Sequence, residues 1–141
     1  MSTTNGTKAI IAARGATKIL TGALVNARAV AKKIRQSSMD AILLCAGTNG
    51  KLAMEDLIGA GAVISCLGED HELECDAAVL AHELFQSARE GLASVLRLGA
   101  GGRNLLRAKL GKDIDFAARM DVISAVGEVK EGEPIRIVRA S

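Results

Sequence analysis

Apolar runs that switch between helical and extended spacing, separated by short loops of glycine, threonine and asparagine, most limit what this chain can fold into. After Ser2-Thr3-Thr4-Asn5-Gly6-Thr7, residues 7–14 read as a short helix capped by Asn5 or Thr7. Residues 17–24 read as a strand, and Asn26 caps a helix through about Gln36, with Ala29, Val30, Lys33 and Ile34 at helical spacing. Asp40 to Cys45 reads as a buried strand carrying Ala41-Ile42-Leu43-Leu44, and it ends in the loop Ala46-Gly47-Thr48-Asn49-Gly50. A helix begins at about Ala53, and a long one covers Asp76 to Leu96 with Asp76 as its cap. The turn Gly99-Ala100-Gly101-Gly102 leads to a helix over 103–110, and extended segments close the chain near 121–127 and 135–139, the last opened by Pro134.

Strands alternating with helices predict a single α/β domain over residues 1–141. Its expected form is a three-layer α/β/α arrangement around a mixed, partly parallel sheet. A length of 141 residues suits one modest core. The net charge is only +2, Phe85 and Phe116 are the only aromatics, and no long basic block occurs, which argues against nucleic acid as a partner. Cys45, Cys66 and Cys75 are too irregularly spaced for a disulfide framework or a zinc site, so reduced thiols in a cytoplasm are expected. The opening residues have no signal-peptide pattern, and the longest apolar stretch, Leu57 to Leu67, is too short to cross a bilayer, so no membrane is expected.

In open α/β sheets, ligands collect where strand ends meet helix starts, and the small-residue loops fall at those junctions. Glycine admits close backbone approach, and helix N-termini favour anions. Taken singly, each loop is an ordinary capping turn; two loops with the same Thr-Asn-Gly pattern shift the reading towards a bound phosphate. Gly99-x-Gly101-x-x-Asn104 lacks the third glycine of a dinucleotide fingerprint and reads as a turn. Cys45 precedes its loop as a phosphatase thiolate would, but Lys51 stands where such an enzyme needs arginine, and Cys45 is not assigned as a nucleophile. Glu55 and Asp56 either complement a helix dipole or reach a magnesium ion beside the phosphate. His71 and His82 read as surface or packing residues.

Several segments together resemble the 2-phosphosulfolactate phosphatase family, magnesium-dependent enzymes of coenzyme M biosynthesis. They are Ser-Thr-Thr-Asn-Gly-Thr-Lys-Ala at 2–9, Leu-Val-Asn-Ala-Arg-Ala-Val-Ala at 24–31, Cys-Ala-Gly-Thr-Asn-Gly-Lys at 45–51, Glu-Asp-Leu-Ile-Gly-Ala-Gly-Ala at 55–62, Gly-Arg-Asn-Leu at 102–105 and Leu-Gly-Lys-Asp-Ile-Asp-Phe at 110–116. The resemblance implies hydrolysis of the phosphate ester of a short sulfonated hydroxy acid, 2-phospho-3-sulfolactate, with Mg2+ and no organic cofactor. It implies substrate or phosphate contacts from Thr3, Thr4, Asn5, Gly6, Thr7, Asn26, Ala46, Gly47 and Thr48, and metal contacts from Glu55 and Asp56. Family members are longer, and the portion missing here is their N-terminal part. This chain is therefore expected to have little activity alone. A non-catalytic anion-binding or interaction fragment is the alternative, and unpaired sheet edges would favour self-association into a homo-oligomer.

Overall fold

The computed structural model describes residues 4–69, 71–130, 132 and 134–141. Helix α1 spans Thr4–Ala12 and is followed by the short strand β1, Leu20–Thr21. A 3-10 turn at Leu24–Asn26 runs directly into α2, Ala27–Ser37. Helix α3 covers Met54–Leu67, α4 Asp76–Ala88, α5 Leu92–Leu98, α6 Ala100–Arg107 and α7 Gly111–Ala117. Strands β2, Gly127–Lys130, and β3, Arg136–Arg139, close the described chain.

The sheet runs β1-β2-β3 with both pairings antiparallel; Thr21 faces Gly127 and Val129 faces Ile137. The protein is thus mixed helix and strand, as the alternation predicted, but the expected parallel pairing is absent among the described residues. The cause is local. The run at 40–45, expected as a buried strand, forms no strand and joins no ladder among the described residues, and Ile42 is 92% exposed. Without it, only the β2–β3 pair and the edge strand β1 remain to make a sheet.

Helix α3 is the centre of the core. Its sequence, Met-Glu-Asp-Leu-Ile-Gly-Ala-Gly-Ala-Val-Ile-Ser-Cys-Leu, is polar only in the first turn and near the end, so it can be covered on several sides. It packs on α2 and α4, burying Ile58, Ala62 and Val63 against Ala27, Val30, Ala31 and Phe85. Gly61 faces α4 so closely that a Cβ there would overlap the Ala81 carbonyl oxygen and lie 2.7 Å from Phe85 Cβ.

The long helix expected over 76–96 is two helices with a 3-10 turn, Arg89–Gly91, between them. Glycine is costly in a helix interior, and Gly91 sits at φ −142° where the helix breaks. The break lets Phe85 and Ala88 on one side, and Leu92 and Leu96 on the other, reach the same core. The glycine run at 99–102, read as a turn before a helix at 103, is largely helical itself. Gly99 caps α6, and α6 starts at Ala100. A Cβ on Gly102 would overlap the Leu96 carbonyl oxygen, so the missing side chain permits the tight α5–α6 corner.

Two glycines of α3 should respond in opposite ways to alanine. Gly59 has no atom within 4 Å of a built Cβ, so Gly59→Ala should stabilise by about 0.5–1 kcal/mol through helix propensity. At Gly61 the obstructing atom is backbone and cannot swing away, so Gly61→Ala should destabilise by about 1–3 kcal/mol. Urea unfolding midpoints of the two variants check both signs.

Candidate functional site

The two Thr-Asn-Gly segments adopt different structures. Asn5, Gly6 and Thr7 lie inside α1, which starts at Thr4 rather than at residue 7; Thr3 lies outside the described residues. Asn5 and Gly6 therefore occupy the first turn, where helix amides lack intrahelical acceptors. The second segment is a tight hairpin turn. Thr48 N–H donates to the Lys51 carbonyl at 2.9 Å, Lys51 N–H donates back at 3.1 Å, and Asn49 and Gly50 both have positive φ, 53° and 73°. Asn-Gly at the two central positions is the signature of a type I′ turn. The loop before α3 is closed by its own backbone instead of opening directly into the helix.

Gly47 makes that closure possible. Its φ is +67°, and a Cβ would lie 2.6 Å from the Lys51 carbonyl oxygen. Its N–H donates to Asp56 Oδ2 at 2.6 Å, so the first turn of α3 fastens the loop. With the Thr48 N–H also engaged, these two amides are not free to grip an anion. Residues Cys45 and Ala46, just before the turn, border the same cleft of about 450 Å³ as Gly6. The first and third motifs of the sequence thus meet across one cleft, through Gly6 and Ala46.

Glu55 and Asp56 are neighbours in sequence but serve different loops. Glu55 directs its carboxylate to the glycines that open α6: a Cβ on Gly99 would be 3.2 Å from Oε2, and one on Gly101 would overlap Oε1. Gly101 accommodates an acid at a helix start, where the dipole favours negative charge. The two carboxylates do not converge. Among the described residues no group of three or more His, Cys, Asp or Glu side chains is placed to hold a metal. Magnesium needs only one or two carboxylates when phosphate and water complete its shell, and Asp56 Oδ1 accepts no hydrogen bond among the described residues, so Asp56 fits such a role.

Asn26 is committed to the fold. Its Oδ1 accepts from Ala23 N–H at 2.8 Å, and its Nδ2 donates to the carbonyls of Ala125 at 3.0 Å and Thr21 at 3.5 Å. This ties the start of α2 to β1 and to the segment before β2. Asp121 is the neighbouring residue that sequence reasoning left without a role. Its Oδ1 accepts from the backbone N–H of Arg28 at 2.7 Å, and its Oδ2 lies 3.3 Å from Arg28 Nε. It caps α2 from 93 positions away, which no local pattern could signal. Burial first, and the Asp56 charge second, push the Cys45 thiol above its ordinary range, which opposes thiolate formation. Among the described residues, the polar partners of His82 are Gln86 and Glu83 on its own helix.

A sequence profile of the 2-phosphosulpholactate phosphatase family matches residues 1–132. The chain belongs to that family. It is 34% identical over 136 residues to a protein of Symbiobacterium thermophilum named "Probable 2-phosphosulfolactate phosphatase", covering 95% of this chain and 58% of the relative. A protein of the same name from Gloeobacter violaceus is 36% identical over 127 residues, covering 89% of this chain and 52% of the relative. One from Caldanaerobacter subterraneus subsp. tengcongensis is 32% identical over 141 residues, covering 99% and 57%. The chain therefore spans little more than half the length of the curated relatives it matches.

Replacing Asp56 by asparagine keeps an acceptor for Gly47 N–H but removes the charge that disfavours the Cys45 thiolate. Alkylation of Cys45 at mildly alkaline pH should then be faster in Asp56→Asn than in the parent, because its thiol titrates at lower pH. Asp56→Ala leaves the Gly47 amide unpaired as well and should cost about 1–2 kcal/mol in thermal unfolding, more than Asp56→Asn.

Proposed function

We propose that this chain supplies the phosphate-facing half of a magnesium-dependent phosphatase. The enzyme would hydrolyse the ester of 2-phospho-3-sulfolactate to sulfolactate and inorganic phosphate, within coenzyme M biosynthesis. The observation that carries the reading is the family match over residues 1–132, which spans every loop at issue. Geometry supports it at one point: the first turn of α1 at Gly6 and the chain at Cys45–Ala46 border one cleft, next to the loop fastened by Asp56.

In this reading the phosphoryl group lies against the first-turn amides of α1, where Asn5 and Gly6 present backbone to an anion. Ala46 limits the opposite side, and Gly47 and Thr48 act by holding the turn rather than by donating to phosphate. Asp56 would hold Mg2+ through Oδ1, and the bound ion would supply charge neutralisation at the phosphoryl oxygens. Glu55 keeps the opening of α6 in place, and Asn26 keeps the start of α2 in place. The three-layer arrangement with a partly parallel sheet belongs, on this proposal, to the longer family protein. The free cysteines, Cys75 exposed among them, suit a reducing cytoplasm. No helix among the described residues is long and apolar enough to cross a membrane.

A second reading, anion binding without turnover, is favoured by the divergence of Glu55 and Asp56 and by the half-length match. Phosphate release from 2-phosphosulfolactate, with and without magnesium, separates the two. This chain alone should turn over about 100-fold or more below a full-length relative, because small misplacements of reacting groups cost that much. Equal rates would overturn the dependence on the remaining length. Magnesium affinity should fall in Asp56→Asn, and unchanged affinity would remove Asp56 as the ligand.

A further inference from the structure

We infer that the cleft between β1 and the segment 41–46 is a slot for a β-strand, filled by polypeptide of the kind that the longer relatives carry beyond the matched region. This is an interaction surface, and it stands whether or not the phosphatase reading holds.

Three observations place it. Residues 41–46 belong to no helix or strand, and among the described residues no backbone hydrogen bond joins them to any other segment. Drawn out as a strand, six residues at about 3.3 Å each would present roughly 20 Å of N–H and C=O groups to a partner. Across the cleft stands a second edge, because among the described residues β1 is the outermost strand of its sheet and pairs only with β2. Both edges line the same cleft, through Ile19–Gly22 on one side and Ala41–Ala46 on the other.

The lining defines the occupant. Ile10 of α1, Val30 and Ile34 of α2, and Val63 of α3 face the cleft, and none of the described residues lining it is charged. An apolar small molecule would match those walls but would leave two rows of backbone groups unpaired. A strand with apolar side chains matches both, adding main-chain hydrogen bonds to burial as in β-augmentation. The chain order, β1 then α2 then 41–46, is that of a crossover unit, whose two strands belong to one sheet.

A second copy of this chain fits less well. Its free β3 edge reads Arg-Ile-Val-Arg, and inserting it would carry arginine into a slot with no acid to pair it. Pairing two 41–46 segments would leave β1 unpaired. The relatives, in contrast, have more than two-fifths of their own length outside the matched region.

Co-expression of this chain with the unmatched portion of the Symbiobacterium thermophilum relative tests the inference, read by backbone amide exchange. Alone, the amides of 42–45 should exchange freely; in the complex, amides in both 42–45 and 19–22 should become protected. Leu43→Pro and Leu44→Pro each delete one amide, and consecutive amides point to opposite edges. At least one of the two should abolish the complex. Leu44→Pro should leave the unfolding midpoint of the isolated chain unchanged, because that side chain is exposed and its amide joins no backbone hydrogen bond among the described residues, whereas Leu43→Pro also loses a side chain packed on the core and should lower it. Failure to co-purify, a complex in which 42–45 stays unprotected, or protection that appears in the chain alone with rising concentration would each overturn the inference, the last by assigning the slot to a second copy.

Discussion

Helix α4 lies against α3 at backbone distance only because position 61 carries no side chain, and most of the remaining architecture follows from that contact. The close approach brings Ala81 and Phe85 onto α3 and seals Ile58, Ala62 and Val63 from water. Burial of this kind is the largest favourable contribution to a fold of this size. With α3 fixed, α2 can take its other side. The break at Gly91 then turns the chain so that α5 adds Leu92 and Leu96 to the same cluster.

The first turn of α3 converts that rigidity into loop placement. Asp56 takes the amide of Gly47, and Glu55 occupies the space above Gly99 and Gly101. Neither glycine run could be replaced without displacing a carboxylate or a carbonyl oxygen. The features that first suggest a ligand site therefore also have a structural duty: glycine is required at 47 by its positive φ and at 101 by a neighbouring acid.

Much of this was legible in the sequence wherever the determinants were local. The start of α2 after Asn26, the helix opening near Ala53 and the final strand after Pro134 follow from periodicity and proline, although the Asn26 side chain makes no cap bond and the α2 amide is taken by Asp121 instead. Asn49-Gly50 carried a hairpin signal that its resemblance to the opening Thr-Asn-Gly obscured. The run at 40–45 has a strand's composition, but composition cannot supply the neighbour that a strand requires. The helical setting of Gly101 and Gly102 depends on where Glu55 and Leu96 sit in space, and the function of Asp121 on a residue far away in the chain.

That last distance sets an order of events. The amide of Arg28 leaves the ribosome 93 residues before the carboxylate that accepts it. At the usual pace of 5–20 residues per second, the opening of α2 waits about 5–20 s for its cap. Over that interval its amphipathic face is made but only partly secured, and the chain between Arg28 and Asp121 must be held as one large closed loop before the contact forms. The late arrival places the final locking of α2 after Asp121 has been made, so nascent chains stopped short of Asp121 would present a frayed first turn to whatever meets them.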